Sequence, residues 1–178
     1  PRQMPSEETR VRFAALAERI EASPRRGRWL VLTHDNPDPD ALASTAALAL
    51  ILRRRFKRQV TVAYGGIIGR AENREMVRSL RLPLSHLRNV NKRNYSAFAM
   101  VDCQPWSGNS QLPRTVVPDL VIDHHPLRKT TLAAALCAPC RGPPDDSRKY
   151  PVKIARQAIT SAAMTARRSP SAWRRLRP

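Results

Sequence analysis

The sequence predicts an α/β fold in which a parallel sheet is flanked by helices, and three observations carry that prediction. Four apolar runs of strand length occupy residues 29–33, 59–64, 97–101 and 120–122. Segments of helical composition or spacing lie between the earlier runs, the alternation expected of parallel strands joined by right-handed crossovers. Three of the four runs pass directly into acids and histidines, as strands do at a ligand-binding edge.

Taken in order, Ser6 followed by Glu7 and Glu8 opens a helix, since acids in a first turn suit its positive end. Phe13, Leu16 and Ile20 recur at helical spacing until Pro24. Trp29-Leu30-Val31-Leu32-Thr33 is continuously apolar, as a strand buried on both faces must be. Pro37 and Pro39 then impose an irregular loop over His34 to Asp40. From Asp40 to Leu52 the chain is rich in Ala and Leu, hence helical. Residues 59–64 form the second strand, with Gly65-Gly66 as the turn after it, and residues 73–80 a short helix. The third and fourth strands lead to Asp102 and Asp123.

The composition limits the classes of function. A chain of 178 residues is one domain, two at most. Its 42% hydrophobic and 26% charged residues are globular figures and exclude wholesale disorder. The longest apolar candidate, residues 41–52, is broken by Ser44 and Thr45 and ends in three arginines, so no membrane partner is expected. The first ten residues are polar and mixed in charge, unlike a secretory signal. Cys103, Cys137 and Cys140 are too few, and odd in number, for a disulfide scaffold, which makes a reducing cytoplasm the expected compartment. A net charge of +18 favours anionic partners, nucleotides or nucleic acid, without specifying a fold.

The chemistry lies at the strand ends. His34, Asp38 and Asp40 follow the first strand, Asp102 the third, and Asp123-His124-His125 the fourth. In an open parallel sheet those ends share one edge, so at least four carboxylates and three imidazoles are expected to converge in one cleft. Two carboxylates about 4 Å apart repel by roughly 4 kcal/mol at an effective dielectric near 20. Protons or a cation must relieve that. Each piece alone has a plain structural reading as a loop histidine, a helix cap or a solvated turn; three strand ends gathering such residues together point to metal. A mixed Asp/His set suits divalent ions of the Mn, Fe or Co type better than Zn. So many ligands suggest two ions sharing a carboxylate, an arrangement that serves phosphoryl hydrolysis.

These residues also carry a family resemblance. Thr33-His34-Asp35-Asn36-Pro37-Asp38-Pro39-Asp40-Ala41 resembles the first motif of the DHH phosphoesterases, Val101-Asp102-Cys103-Gln104-Pro105 their second, and Val121-Ile122-Asp123-His124-His125-Pro126 the triplet that names them. The resemblance covers residues 28–132. It implies a manganese-dependent phosphoesterase with two Mn2+ ions: His34 and Asp38 on the first, Asp40 and His124 on the second, Asp102 on both. It further implies that His125 contacts the substrate phosphate, that Asp123 orients the histidines, and that Asn36 either braces its loop or touches the scissile phosphate. The branch most resembled is that of RecJ-like exonucleases, oligoribonucleases and 3′-phosphoadenosine 5′-phosphate phosphatases. Its substrates would be nucleotides or short single-stranded oligonucleotides, cleaved at phosphodiester or phosphomonoester bonds by a two-metal mechanism. A family II pyrophosphatase-like hydrolase ranks lower. The glycine-rich stretch 65–69 with Arg70 is either a plain turn or an anion-binding loop in which Arg70 pairs with a substrate phosphate. The basic run 53–58 reads as a solvated helix end, with nucleic-acid contact as the alternative.

Near residue 132 the text changes. Asp145 and Asp146 are the only later acids, prolines and arginines accumulate, and Cys137 and Cys140 form a lone Cys-x-x-Cys that reads as coincidence. Residues 154–166 form at most a weak helix and 167–178 a basic tail. The expected organisation is therefore an incomplete phosphoesterase domain over 1–132 and an irregular or weakly helical basic tail over 133–178, unrelated to the family, as a lost reading frame would produce. A fourth motif, which would complete the second ion's shell, is not found. The second ion should bind weakly and turnover should be impaired. The alternative function is an inactive fragment binding nucleic acid non-specifically through its charge. Sequence gives no oligomeric state.

Overall fold

The structure, a computed structural model, describes residues 7–23 and 27–126. The elements are α1 (Glu7–Ala22), β1 (Arg28–Leu32), α2 (Pro39–Arg54), β2 (Gln59–Tyr64), α3 (Ala71–Leu80), β3 (Leu84–His86), β4 (Ala97–Val101) and β5 (Leu120–Ile122), with two 3-10 turns between β3 and β4. Five strands form one sheet in the order β3-β2-β1-β4-β5, and every neighbouring pair is parallel. The α/β class and the four predicted strands are present. β3 is an addition: Leu-Ser-His after Pro83 carries no strand signal of its own and pairs only because β2 offers a free edge at Val62 to Tyr64. The predicted features of the basic segment, including the Cys-x-x-Cys pair and the weak helix, lie outside the described residues.

The order of the strands positions the site. From β1 the chain builds outward to β2 and β3, then returns to the other side of β1 for β4 and β5. The reversal falls between β1 and β4, where an open α/β sheet leaves a crevice at its carboxyl edge. Register aligns Leu32 with Met100, and Val101 with Ile122, so β1, β4 and β5 end level with one another.

β1 explains why its sequence is continuously apolar from Trp29 to Leu32. Trp29 and Val31 pack with Leu16 and Ile20 of α1 and Leu48 and Leu52 of α2. Leu30 and Leu32 face the opposite side, among Leu87, Val90, Met100 and Leu112. The four apolar side chains of β1 are fully buried, each worth about 1.5–3 kcal/mol of transfer free energy, while Arg28 at its start is exposed. The strand is thus the rigid spine from which His34 emerges.

α2 begins one residue earlier than its composition indicates. Asp38 is the N-cap, its Oδ1 accepting from Ala41 N at 2.9 Å, and Pro39 opens the helix. A proline there gives up no hydrogen bond, because a first-turn N–H has no partner within the helix, and its φ is already helical. Pro39 therefore starts regular structure, and the loop predicted to reach Asp40 ends at Asp38. The basic run is likewise only partly a solvated end. Arg54 and Arg55 are exposed, but Arg58 is buried and its guanidinium donates to Ile20 O (2.8 Å) and Ser23 O (3.0 Å), closing the carboxyl end of α1.

Candidate metal centre

Each candidate ligand is held by the strand it follows. Beyond β1, Thr33 N still donates to Ala63 O at 3.3 Å, carrying the ladder to the residue before His34. The His34 Nδ1 lies 2.8 Å from Asp35 O, a carbonyl that can only accept, so Nδ1 carries the proton and Nε2 keeps its lone pair for the cleft. That Nε2 stands 3.8 Å from Asp102 Oδ2. Beyond β4, Asp102 N donates to Ile122 O at 2.8 Å, and its backbone turns left-handed at φ 58°. The turn rolls the carboxylate over the sheet edge, between the ends of β1 and β5.

Asp102 is the centre of the arrangement. Its Oδ2 faces His34, while its Oδ1 lies 3.0 Å from His124 Nδ1 and 3.9 Å from His125 Nδ1. Ligand atoms of His34, Asp38 and Asp102 lie within 4.8 Å of one another, and so do those of Asp102, Asp123, His124 and His125. The two groups share Asp102 alone, one oxygen turned to each. Asp40 lines the cleft from the first turn of α2 but belongs to neither compact group. The cleft has a volume of about 250 Å³ and is lined by His34, Asp38, Asp40, Asp102, Asn109, His124 and His125.

Electrostatics shows what the cleft would accommodate. Burial pushes the Asp102 carboxyl above its usual range; His124 opposes the shift, Asp40 and Asp38 reinforce it, and His34 opposes it again. A carboxylate that is 7% exposed and faces two others is poorly stabilised by protein groups alone. Oxygen and imidazole donors in this number and proximity fit a divalent cation, which would reverse the penalty. Cys103, next along the chain, is no nucleophile: burial, then the neighbouring Asp123, Asp102 and Asp35, push its thiol far up.

Asp123 stands apart from the cleft wall, buried behind it at 3% exposure. Its Oδ1 accepts from His125 Nδ1 at 2.8 Å and its Oδ2 from Gln104 Nε2 at 2.5 Å. Burial alone would raise this carboxyl, but the hydrogen bonds from His125 and Gln104 outweigh burial and hold it below its usual range. Asp123 is thus a charged strut beneath the histidine pair.

The loop carrying Asp35 to Pro37 is fastened to its surroundings at several points. Asp35 N donates to Asn109 O at 2.7 Å, and Asn36 N to Gly65 O at 3.2 Å. Asn36, at φ 57°, accepts from Ile67 N through Oδ1 at 2.8 Å, and Asn73 Nδ2 donates to Pro37 O at 3.0 Å. Asn36 therefore braces the loop, and it lies outside the cleft lining. A Cβ on Gly65 would fall 1.7 Å from Asp35 Oδ1, and one on Gly66 (φ 61°) 2.4 Å from Asn36 Oδ1. The glycine pair is needed for close approach of this loop. Arg70 is the exposed N-cap residue of α3, also outside the cleft lining. Asn109 lines the cleft with no motif to mark it, and Gln104 carries its signal only as a member of the second motif beside Asp102.

Comparison with known proteins identifies the family of the chain. The family model described as the N-terminal domain of the DHH family matches residues 28–166, a span that takes in every candidate ligand and runs on past position 132 into the basic segment. The chain is 41% identical over 102 residues to the uncharacterized protein MJ1633 of Methanocaldococcus jannaschii, an alignment covering 57% of this chain and 20% of that protein. The chain thus spans about a fifth of the length of the relative it matches. Among the described residues no helix is long and apolar enough to cross a membrane. With its three strand-end motifs meeting in one cleft, the chain belongs to the DHH family.

Proposed function

We propose that this cleft hydrolyses phosphodiester or phosphomonoester bonds of nucleotides or short single-stranded oligonucleotides, in the manner of an oligoribonuclease or exonuclease acting in the cytoplasm, with two manganese ions as cofactor. The observation that supports it is the position of Asp102, with Oδ2 toward His34 and Oδ1 toward His124. His34 and Asp38 would hold one ion, Asp40 and His124 the other, and Asp102 both. When bound, such ions polarise phosphoryl oxygens and make water acidic enough to supply a nucleophile at neutral pH.

The chain's own groups do the rest. His125 is the more exposed of the pair, and Asp123 holds its ring through Nδ1, so that Nε2, when it too carries a proton, would donate to a phosphoryl oxygen. Asp40 belongs to neither compact group, which supports weaker binding of the second ion. Arg70, beyond the cleft wall, would meet a phosphate only on a substrate longer than a mononucleotide. The net charge of +18 favours such an anionic chain.

The test is manganese-dependent release of mononucleotide from a short RNA, with Asp102→Ala and His125→Ala as controls. The expected outcome is turnover that Asp102→Ala abolishes and His125→Ala cuts steeply to a small, measurable remainder. Salt-sensitive RNA binding without hydrolysis would contradict the proposal and identify a nucleic-acid-binding fragment instead.

A further inference from the structure

Gln104 is buried at 3% exposure, two residues beyond Asp102, and nothing in the motif chemistry requires an amide there. Its Nε2 lies 2.5 Å from Asp123 Oδ2 and 2.9 Å from Pro126 O. Both neighbours can only accept, so the atom between them must be the amide nitrogen, and both of its protons are committed. One bond ties Asp123; the other ties the backbone immediately after His125. On its far oxygen Asp123 takes the proton of His125 Nδ1 at 2.8 Å.

We propose that Gln104 is the positioning residue of the site: it fixes the Asp123 carboxylate and the Pro126 carbonyl, and through them the ring of His125. The physical reason is that a carboxylate fixed at one oxygen only can rotate. Asp123 must present Oδ1 to His125 in one direction, and it lies in a buried layer where no solvent can substitute for a missing donor. An amide is the side chain suited to the place, since it donates twice, carries no charge to compete with the cations of the cleft, and continues from the strand end that supplies Asp102. Hydrogen-bond partners of this outer kind commonly change metal affinity or activity by about 10–100-fold when removed.

The kinetic part of the test rests on the phosphoesterase reading; the spectroscopic part does not. In the full chain, Gln104→Met removes both donated bonds at similar volume, and Gln104→Glu keeps the shape while setting a second carboxylate against Asp123. Each is combined with His125→Ala. In the wild-type background we expect kcat to fall by about 10–100-fold with KM nearly unchanged. In the His125→Ala background the same substitutions should cost less than about threefold, because residues acting as one unit are not additive. Equal losses in both backgrounds would overturn the proposal and leave Gln104 a packing residue. Nitrogen-15 spectra of the histidine rings supply the second readout: His125 should be Nδ1-protonated in the wild type and shift toward a mixture of tautomers in either variant. An unchanged His125 spectrum in a variant folded by circular dichroism would also overturn it. That readout holds even if the chain cleaves no RNA, so failure of the hydrolase assignment stays distinguishable from failure of the role given to Gln104.

Discussion

Where β1, β4 and β5 end, the chain places Asp102, His34 and the Asp123-His124-His125 triplet; where β2 and β3 end, on the same edge of the same sheet, it places Gly65, Gly66 and His86. The first half collects charge that repels itself. The second half brings mostly backbone and neutral side chains: Gly65 O accepts from Asn36 N, Gly66 O pairs with His86 Nε2 at 2.9 Å, and Asn73 reaches Pro37 O. The contrast shows how such a centre is held. Acidic ligands cannot stabilise their own loop, so the loop is anchored to a neutral neighbour that contributes no ligand. Substitutions in the ligand half should therefore abolish metal binding and chemistry, and those in the bracing half should act through geometry and stability.

The largest effect is expected at Asp102. Asp102→Asn should end manganese-dependent turnover while raising the melting temperature of the metal-free chain. Asparagine tolerates the left-handed backbone there, and the change removes a buried charge facing Asp38 and Asp40. The pH dependence has a definite sign. A carboxyl whose folded pKa is raised contributes stability at low pH and loses it as pH rises through that folded value. Thermal melts of the metal-free wild type should therefore show a stability decrement on raising the pH above the ordinary aspartate range, and the variant should lack it. A variant melting lower at neutral pH would contradict this account of the ligand half.

Gly65→Ala comes next and breaks the comparison from the other side. The added methyl collides with Asp35, so the loop must shift, at a cost of about 1–3 kcal/mol, with loss of turnover at saturating metal. Chemical denaturation and steady-state kinetics measure the two; wild-type values in both would show that the loop is not held here. Asn36→Ala should be milder. It loses the bond to Ile67 N and the residue type suited to φ 57°, for about 1 kcal/mol, with manganese affinity within a few-fold of wild type by calorimetry. The smallest effect belongs to Arg70→Ala. As an exposed group beyond the cleft it should raise KM a few-fold for an oligonucleotide and leave a mononucleotide substrate unaffected; a fall in kcat would move Arg70 into the site.

How much of this was legible in the sequence follows from where each signal resides. β1 and β4 announce themselves because burial on both faces demands apolar residues from Trp29 to Leu32 and from Ala97 to Val101, and the motifs at their ends mark the cleft. Asp38 as cap and Pro39 as opener were written in adjacent residues, yet a proline in a loop and a proline at a helix start look alike until the helix is seen. β3 is three residues long and exists by pairing, so nothing within Leu84-Ser85-His86 signals it. Arg58 looks like one more cation in a basic run. Its burial depends on Ile20 and Ser23, 38 and 35 residues earlier. Gln104 and Asp123 are 19 residues apart, and their bond exists only because β4 and β5 are neighbours. Ligands and the groups that orient them sit in the same motifs; which of them bond to one another is found through the topology.

The central claim is that Asp102 joins the two ligand groups into a single centre for divalent cations. Calorimetric titration of manganese into the full chain, beside Asp102→Asn, tests it most directly. The account predicts uptake in two phases, the second weaker, with both lost in the variant. Absence of uptake by the wild type, or an unaltered isotherm for Asp102→Asn, would contradict it.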